Sequence, residues 1–237
     1  MIQEKTIGIL GGMGPYATLT FFKKLIDMTP AKKDWEHLRI IIDCNPKIPS
    51  RVLYLLYEKE SPVPMMIETC KNLEKAGADF IVIPCNTAHH FREEIQEHIG
   101  IPILNMIQEV NKTIIHTMPS IKKIGLLATE ATSRGPLYRE SLKREGIDVI
   151  APPPNSHEEK RVRRIIEDVK LNKINKTTKK EIISLCNWLK AKGAEAVILG
   201  CTEIPAAISP SELNIPAFDS IHIYAQATVQ KAREGSN

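Results

Sequence analysis

Short apolar runs alternate along the chain with longer segments whose hydrophobic residues recur every three or four positions. The first pattern predicts β-strands and the second predicts amphipathic helices. The predicted strands cover residues 5–11, 38–43, 79–84, 101–104, 123–128, 147–150, 195–199 and 215–218. The predicted helices cover residues 15–28, 61–76, 88–98, 105–117, 133–145, 156–171, 176–192 and 219–234. Such alternation indicates an α/β fold, in which right-handed helical crossovers join parallel strands and cover both faces of the sheet.

The chain also contains an internal repeat. The segment LEKAGADFIVIPC at residues 73–85 returns as LKAKGAEAVILGC at residues 189–201, 116 positions later. A second pair of segments, 6–10 and 123–127, is separated by 117 positions. Any α/β chain can carry Gly-Ala-acid before an apolar strand, but nearly constant offsets favour a duplicated half.

The repeat predicts two pseudo-symmetric domains, each a mostly parallel sheet flanked by helices, with the active site in the cleft between them. The N-terminal half, residues 1–112, carries Cys85, and the C-terminal half, residues 113–218, carries Cys201. Residues 219–237 are predicted to form a helix that packs back on the first half. Ligands of such sheets bind beyond the carboxyl ends of the strands, where both cysteines stand.

Composition and charge argue against a nucleic-acid-binding, membrane-spanning or secreted protein. The chain has 237 residues, of which 43% are hydrophobic and 25% charged, and a net charge of +4. Its densest basic stretch, residues 160–164, has the spacing of a solvated helix face, so we expect no nucleic-acid partner. No apolar run is long enough to span a membrane, and the N-terminus lacks the layout of a signal peptide. Five cysteines, an odd number, therefore predict free thiols and a cytoplasmic location.

Cys85 and Cys201 are the strongest candidates for chemistry. Each follows an apolar strand and precedes a helical pattern, so each sulfur is expected at a helix N-terminus, where the macrodipole favours the thiolate and lowers the pKa. Two thiols on opposite walls of one cleft could remove a proton from one face of a carbon and return it to the other. Cys70 and Cys186, inside helical patterns, are interpreted as core residues, and Cys44 is assigned a structural role.

A metal site is the main competing use of these residues. His89 lies four residues after Cys85, and His90 is adjacent. Zinc sites usually bring closer ligand pairs, so we predict no metal. His89 is instead expected as a cap or a residue that supports Cys85, and His90 as a surface residue.

The glycine-rich segment 11–17 permits a dinucleotide-binding alternative, because Gly12-x-Gly14-x-x-Ala17 fits the fingerprint between a strand and a helix. Asp43 follows 31 residues after Gly12, farther than the roughly 20 residues expected. We expect instead a loop that lets its backbone approach a small anionic ligand.

Arg51 closes the proline-punctuated segment 45–51, which we predict to be a loop over the mouth of the cleft. An arginine in that place could hold a carboxylate by two parallel hydrogen bonds. The alternative is a solvated loop arginine, and the residues alone leave both open.

Four segments together resemble the aspartate/glutamate racemase superfamily, most closely its aspartate racemase branch. They are GGMGP at 11–15, NPKIPSR at 45–51, PCNTAH at 84–89 and GCTE at 200–203. The resemblance covers essentially the whole chain in order. It implies an enzyme that needs neither pyridoxal phosphate nor a metal, with Cys85 and Cys201 as the acid/base pair on opposite sides of the substrate.

The resemblance also implies a set of substrate-binding residues. Asn86 and Thr87 would bind the α-carboxylate end, and Arg51 the side-chain carboxylate. The full set is Met13, Arg51, Asn86, Thr87, Thr129, Lys170 and Thr202. The polar loop at 152–157 does not predict a role.

The function predicted from the sequence is cofactor-independent racemisation of an acidic amino acid, with aspartate preferred to glutamate. The alternatives are a glutamate or broad-specificity racemase, a related cysteine-dependent isomerase or decarboxylase, an amino-acid-binding protein without activity, and an NAD-dependent enzyme. A homodimer is expected because it is the commonest arrangement of oligomers.

Overall fold

The computed structural model describes residues 4–234, which form two compact units. One unit contains the chain up to Met106 together with the segment that begins at Ile221, and the other contains the residues from Ile107 to Ser220. The chain thus enters the second unit once and returns to the first near its C-terminal end.

The strands are β1 (Ile7–Gly11), β2 (Ile40–Cys44), β3 (Phe80–Val82), β4 (Lys123–Leu127), β5 (Asp148–Ile150), β6 (Ala196–Leu199) and β7 (Ala217–Asp219). The α-helices are α1 (Pro15–Met28), α2 (Arg51–Tyr57), α3 (Val63–Lys75), α4 (Arg92–Gln96), α5 (Met106–Thr117), α6 (Glu130–Arg134), α7 (Pro136–Arg144), α8 (His157–Lys170), α9 (Lys176–Ala191), α10 (Ile204–Ala207) and α11 (Ser220–Arg233). Short 3-10 helices occupy Asp34–Glu36, Thr87–Phe91 and Pro210–Glu212.

Each unit is built on its own parallel sheet. The first sheet has the strand order β2-β1-β3, and the second has the order β5-β4-β6-β7. β1 and β6 are buried along their whole length, as expected of central strands in a sheet that helices cover on both faces. The predicted α/β fold with two mostly parallel sheets is confirmed.

The internal repeat extends to the strand register. Gly8 pairs with Ile81 in the first sheet, and Gly125 pairs with Val197 in the second. A Cβ atom on Gly8 would lie 3.4 Å from the Cβ of Leu73, and one on Gly125 would lie 3.2 Å from the Cβ of Leu189. Both glycines therefore make room for the corresponding leucine of the repeated helix, Leu73 in α3 and Leu189 in α9.

Helix α11 belongs to the first unit, although it lies at the other end of the chain. The amide of Lys5 donates to the carbonyl of Ala232 at 2.9 Å. The ring of Tyr224 stacks on that of Phe21 with centroids 5.5 Å apart. Tyr224 is fully buried, so α11 contributes directly to the core of this unit.

Three predicted segments differ from the structure. Residues 101–104 form only the isolated bridge Ile81↔Ile103, because the amide of Ile83 donates to the hydroxyl of Tyr224. The helix predicted at 133–145 is divided at Gly135, whose extended backbone is the conformation favoured before a proline. The helix predicted at 88–98 is a 3-10 helix followed by the short helix α4.

The predicted loop over residues 45–51 ends earlier than expected. Ser50 caps a helix by accepting a hydrogen bond from the amide of Leu53, and Arg51 is the first residue of α2. Among residues 4–234, no helix is both long enough and apolar enough to cross a membrane.

Candidate active site

Cys85 lies in a tight turn just beyond β3. The strand ends at Val82, and the amide of Cys85 donates to the carbonyl of Ile83 at 2.7 Å. The carbonyl of Cys85 accepts from the amide of Ala88 at 3.2 Å, at the start of a 3-10 helix. Only 7% of Cys85 is exposed. The thiol thus stands at the carboxyl end of a parallel strand, where sheets of this class bind ligands.

Asn86 and Thr87 follow Cys85 directly, and both are buried. Asn86 occupies the N-cap position of the 3-10 helix, but its side chain makes no capping hydrogen bond there. These two predicted substrate-binding residues therefore share the buried turn of Cys85.

Cys201 lies in the corresponding turn of the second unit. β6 ends at Leu199, and the amide of Gly200 donates to the carbonyl of Leu127 at 2.8 Å, which fixes the exit of the chain from the sheet. The Cys201 thiol donates to Oε2 of Glu203 at 2.9 Å. Thr202, another predicted site residue, donates its hydroxyl proton to the same oxygen at 3.1 Å. All three side chains are buried, so one carboxylate oxygen joins two candidate site residues.

The expected low pKa of Cys201 is contradicted. Burial raises the pKa of the thiol well above its ordinary value, and the Glu203 carboxylate raises it further by its charge and by accepting the thiol proton. The Lys170 ammonium opposes this change. Cys201 is consequently protonated at neutral pH, with Lys170 close enough to influence it electrostatically.

The helix-dipole argument fails for Cys201 for a structural reason. The helix that follows this cysteine, α10, has only four residues and is too short to sum many peptide dipoles. Desolvation and a neighbouring carboxylate therefore control the Cys201 thiol.

Arg51 connects the glycine-rich loop to the start of α2. Its guanidinium donates to the carbonyl of Met13 at 3.2 Å and to the carbonyl of Pro49 at 3.0 Å, with a longer bond of 3.4 Å to Ile48. Arg51 is thus a fixed, partly buried cation beside Met13, which is itself buried. A guanidinium has five N–H donors, so these three contacts leave one Nη2 hydrogen and the Nε hydrogen, and Nε is buried without a hydrogen-bond partner.

The glycine-rich loop is packed against the protein's own backbone and side chains. The amide of Gly12 donates to the hydroxyl of Thr18 at 2.9 Å, and that hydroxyl donates to the carbonyl of Gly14 at 3.0 Å. A Cβ atom on Gly12 would lie 2.3 Å from the backbone of Asn45. Glycine is required at position 12 by the protein backbone itself and by a φ of +93°. The expected approach of this loop to a small anionic ligand stays a prediction.

Thr129, the predicted site residue after β4, caps α6 by accepting from the amide of Thr132 at 3.4 Å. An ion-pair network supports this helix, because Arg134 donates to both carboxylate oxygens of Glu159, at 2.8 and 2.6 Å. The amide of Asn155 also donates to Glu159, at 2.7 Å. The polar loop at 152–157 is therefore anchored to α6 through Glu159.

His89 is buried and donates through Nε2 to the carbonyl of Ile83 at 3.2 Å. Burial lowers the pKa of His89 to about 3, so its ring is neutral. His90 is partly exposed. No group of three or more histidine, cysteine, aspartate or glutamate side chains within residues 4–234 is arranged to hold a metal ion.

The remaining cysteines separate into two kinds. Cys70 and Cys186 are buried in the cores, and burial raises the pKa of each to about 12, which confirms the core interpretation. Cys44 is exposed at the end of β2, so its expected role as a buried structural residue is wrong.

Within each unit the structure brings several predicted residues together. In the first unit these are Met13 with Arg51, and Cys85 with Asn86 and Thr87. In the second unit they are Cys201, Thr202 and Lys170. Glu203 was not among the predicted site residues. The signal was present in the segment at 200–203, since a carboxylate two residues after a cysteine can reach its sulfur within one turn.

The sequence matches the family model described as Asp/Glu/hydantoin racemase over residues 10–228. The chain belongs to this family of racemases. It is 31% identical over 229 residues to the broad-specificity amino-acid racemase RacX of Bacillus subtilis (strain 168), a match that covers 94% of this chain and 96% of that protein. It is also 30% identical over 159 residues to the glutamate racemase of Aquifex aeolicus (strain VF5), covering 66% of this chain and 58% of that protein.

Solved structures give the same family likeness. The aspartate racemase of Picrophilus torridus is 34% identical, with a TM-score of 0.85 over 96% of this chain and 94% of that chain. An aspartate racemase homologue from Pyrococcus horikoshii OT3 is 30% identical, with a TM-score of 0.77 over 96% of this chain and 99% of that chain. The protein is therefore an amino-acid racemase, an isomerase by class.

Proposed function

We propose that this racemase inverts an acidic amino acid, aspartate in preference to glutamate, with Cys85 and Cys201 as its acid/base pair. The observation that carries the proposal is the pair of equivalent cysteine turns. Each sulfur is buried beyond the carboxyl end of an equivalent strand, one in each unit of a duplicated fold. The other buried cysteines, Cys70 and Cys186, lie inside helices instead.

The proposed reaction needs one thiolate and one thiol on opposite faces of the α-carbon. The thiolate takes the α-proton, so that an S–H bond forms as the Cα–H bond breaks, and the electron pair left on carbon delocalises into the α-carboxylate. The opposite thiol then donates its proton to Cα and becomes the thiolate. The two sulfur atoms together hold one proton before and after each turnover, so the reaction needs neither pyridoxal phosphate nor a metal.

The resting protonation state follows from the Cys201 turn. Because burial and Glu203 raise the pKa of the Cys201 thiol, this sulfur keeps its proton at neutral pH and is the acid of the resting enzyme. Cys85 is then the base of the first half-reaction. The enantiomer whose α-proton faces Cys85 reacts with this form of the enzyme, and its mirror image reacts with the form in which the proton has moved from Cys201 to Cys85.

The proposed substrate is an acidic amino acid because the predicted binding residues include two cations. Arg51 is fixed by three backbone carbonyls and would hold the side-chain carboxylate. Lys170, which influences Cys201, would help to neutralise the substrate. The remaining proposed contacts, with the α-carboxylate end and with the walls of the pocket, come from Met13, Asn86, Thr87, Thr129 and Thr202.

The relatives support an acidic substrate but do not distinguish aspartate from glutamate. The Picrophilus torridus protein is named an aspartate racemase, the Aquifex aeolicus protein a glutamate racemase and RacX a broad-specificity racemase. Aspartate is preferred because Arg51 follows a short segment with prolines at 46 and 49. A glutamate or broad-specificity racemase is the second candidate, since one methylene changes binding by only about 1–3 kcal/mol.

Proton NMR in D₂O tests this proposal. With L-aspartate, the enzyme is expected to remove the α-proton signal and produce D-aspartate, while L-glutamate reacts more slowly. Cys85→Ala and Cys201→Ala should each abolish racemisation without unfolding the protein, and Cys44→Ala, which removes an exposed thiol, should leave it unchanged. Substantial racemisation by Cys201→Ala, or conversion of the substrate to a different compound, would contradict the proposal.

Two further proposals concern the protein as a whole. A homodimer is proposed because two-fold dimers are the commonest closed assemblies, and sedimentation velocity checks it against a monomer. A cytoplasmic location is proposed from the five free cysteines, and fractionation with thiol labelling checks it.

A further inference from the structure

The strand that leads to Cys85 leaves its sheet at Ile83, where a tyrosine hydroxyl interrupts the hydrogen-bond ladder. The amide of Ile81 donates to the carbonyl of Pro102 at 2.9 Å, and the amide of Leu104 donates to the carbonyl of Ile81 at 2.9 Å. The next bond of a parallel ladder would run from the amide of Ile83 to the carbonyl of Leu104. The Tyr224 hydroxyl lies between them, accepting from Ile83 at 3.1 Å and donating to Leu104 at 2.7 Å.

The carbonyl of Ile83 is also held by a side chain. It accepts from Nε2 of His89 at 3.2 Å and from the amide of Cys85 at 2.7 Å. The His89 ring meets the Tyr224 ring edge-on, with centroids 5.9 Å apart and planes at 84°. Two buried, touching side chains therefore hold both polar backbone groups of the residue that lies two positions before Cys85.

The second unit shows what the sheet does without this insertion. Its strands β6 and β7 remain paired up to Leu199↔Asp219, two residues before Cys201. There the carbonyl of Leu199, which corresponds to Ile83, accepts from the hydroxyl of Ser220 at 2.8 Å. The two cysteine turns thus leave their sheets by different routes, although the strands before them repeat.

We propose that Tyr224 and His89 are positioning residues that set the direction of the Cys85 sulfur by fixing the Ile83 backbone. The proposal rests on the proposed role of Cys85 in racemisation. Neither side chain is placed on the substrate. The His89 ring is neutral and retains its Nε2 proton for the carbonyl, because a buried imidazolium would cost too much free energy. The ring therefore acts as a fixed hydrogen-bond donor.

The Tyr224→Phe variant removes the inserted hydroxyl and keeps the ring. The Ile83 amide and the Leu104 carbonyl must then either lose a partner or close into the ladder, and both outcomes move the Cys85 turn. A displacement of about 1 Å at a reacting group can lower the rate by about 100-fold. We expect kcat to fall by about 10- to 100-fold, with KM changed much less.

Thr228→Val is the matched control. Thr228 is also a fully buried residue of α11, and its hydroxyl donates to the carbonyl of Tyr224 at 2.7 Å, away from the Cys85 turn. The free energy of unfolding of Thr228→Val should fall about as much as that of Tyr224→Phe, but Thr228→Val should retain the wild-type kcat. If both variants lose kcat in proportion to their lost stability, Tyr224 is structural and the proposal is wrong.

His89 supplies a second test that does not depend on Tyr224. His89→Leu removes the donor to Ile83 and should lower kcat, whereas His89→Gln can donate to the same carbonyl and should recover part of the rate. Equal kcat for His89→Leu and wild type would overturn the proposal for this residue. Racemisation by the wild-type enzyme is measured first. A wild type without activity would refute the proposed function. The positioning of Cys85 is then judged by the rate at which iodoacetamide alkylates this cysteine. That rate should differ between Tyr224→Phe and Thr228→Val, and equal rates would contradict the proposal.

Discussion

At the residue scale, Glu203 places a carboxylate oxygen 2.9 Å from the Cys201 sulfur inside a buried turn. A neighbouring anion disfavours the thiolate, and so does burial. Both effects act in one direction, and they raise the pKa of the thiol. The same oxygen accepts the Thr202 hydroxyl proton, which holds the carboxylate in place. We infer that Glu203 keeps Cys201 as the proton donor of the resting enzyme.

The Glu203→Gln variant tests this inference. Without the negative charge, the pKa of Cys201 should fall, because one of its causes is removed while burial remains. Alkylation of the Cys201 peptide, followed by mass spectrometry as a function of pH, should therefore begin at lower pH. Racemisation should slow by about 10-fold or more, because a Cys201 that has lost its proton cannot act as the general acid.

Glu167→Gln, on the exposed face of α8, is the control for this experiment and should leave the alkylation profile unchanged. An identical pH profile for wild type and Glu203→Gln would mean that the carboxylate does not govern the Cys201 proton.

Sequence reasoning found the two thiols because their motifs repeat, but it gave Cys201 the wrong pKa direction. The repeat identifies a strand end, whereas the pKa depends on the depth of burial and on which side chain turns toward the sulfur. Helix length also matters, and the helical pattern after Cys201 did not reveal that α10 has only four residues. Cys44 illustrates the same limit, because exposure at the end of an edge strand is a property of the folded sheet.

At the element scale, helix α6 and the loop at 152–157 are joined through Glu159. Burial disfavours the ionised form of this carboxyl, but hydrogen bonds from Arg134 and Asn155 outweigh that cost and hold its pKa below the ordinary value. A depressed carboxyl pKa stabilises the fold above the pKa of the unfolded chain, and this stabilisation is lost as the pH falls. Because Thr129 caps α6, the network also steadies a proposed substrate-binding residue.

The Glu159→Gln variant should lower the free energy of unfolding at pH 7 by about 1.5–3 kcal/mol, the range for hydrogen bonds to charged groups. The difference from wild type should shrink below about pH 4, where an unfolded glutamate is mostly protonated. Urea denaturation of wild type and variant at pH 7 and below about pH 4 measures this difference in the free energy of unfolding. Asp148→Asn, which breaks an exposed ion pair with Lys143, is the control and should change stability much less. A difference that stays constant between the two pH values would contradict the ionic explanation.

Elements with strong periodicity were predictable, and those decided by tertiary contacts were not. The observed bounds of α1 coincide with the predicted 15–28, because Pro15 opens the helix and the apolar stripe is regular. The strand at 101–104 was overestimated, since a hydroxyl from residue 224 replaces its next ladder bond. Helix α2 was missed because prolines at 46 and 49 suggested a loop, while Ser50 was already the cap.

At the scale of the whole molecule, the sequence repeat coincides with matching strand register in the two sheets and with two corresponding cysteine turns. The two turns differ in what holds them. Tyr224 and His89 hold the chain before Cys85, while Ser220 and Glu203 hold the turn of Cys201. Matching turns can therefore place their two thiols in different local environments, and burial together with Glu203 raises the pKa of the Cys201 thiol.

The overall class was predictable from sequence because duplication leaves a long-range signal at constant offset. The family model then matched residues 10–228, in agreement with the resemblance found in four short segments. The substrate was not predictable to the same depth, since aspartate and glutamate differ by one methylene and their racemases share this fold.

The central claim, proton transfer by two cysteines on opposite faces, is tested most directly by the position of solvent deuterium in the first turnovers. L-Aspartate is incubated with the enzyme in D₂O, and both enantiomers are isolated before a tenth of the substrate has reacted. With two bases, newly formed D-aspartate carries deuterium at Cα, while the recovered L-aspartate retains its proton. Deuterium in the recovered L-aspartate at a rate equal to its appearance in the product, or protium retained in the D-aspartate, would mean that a single base serves both faces.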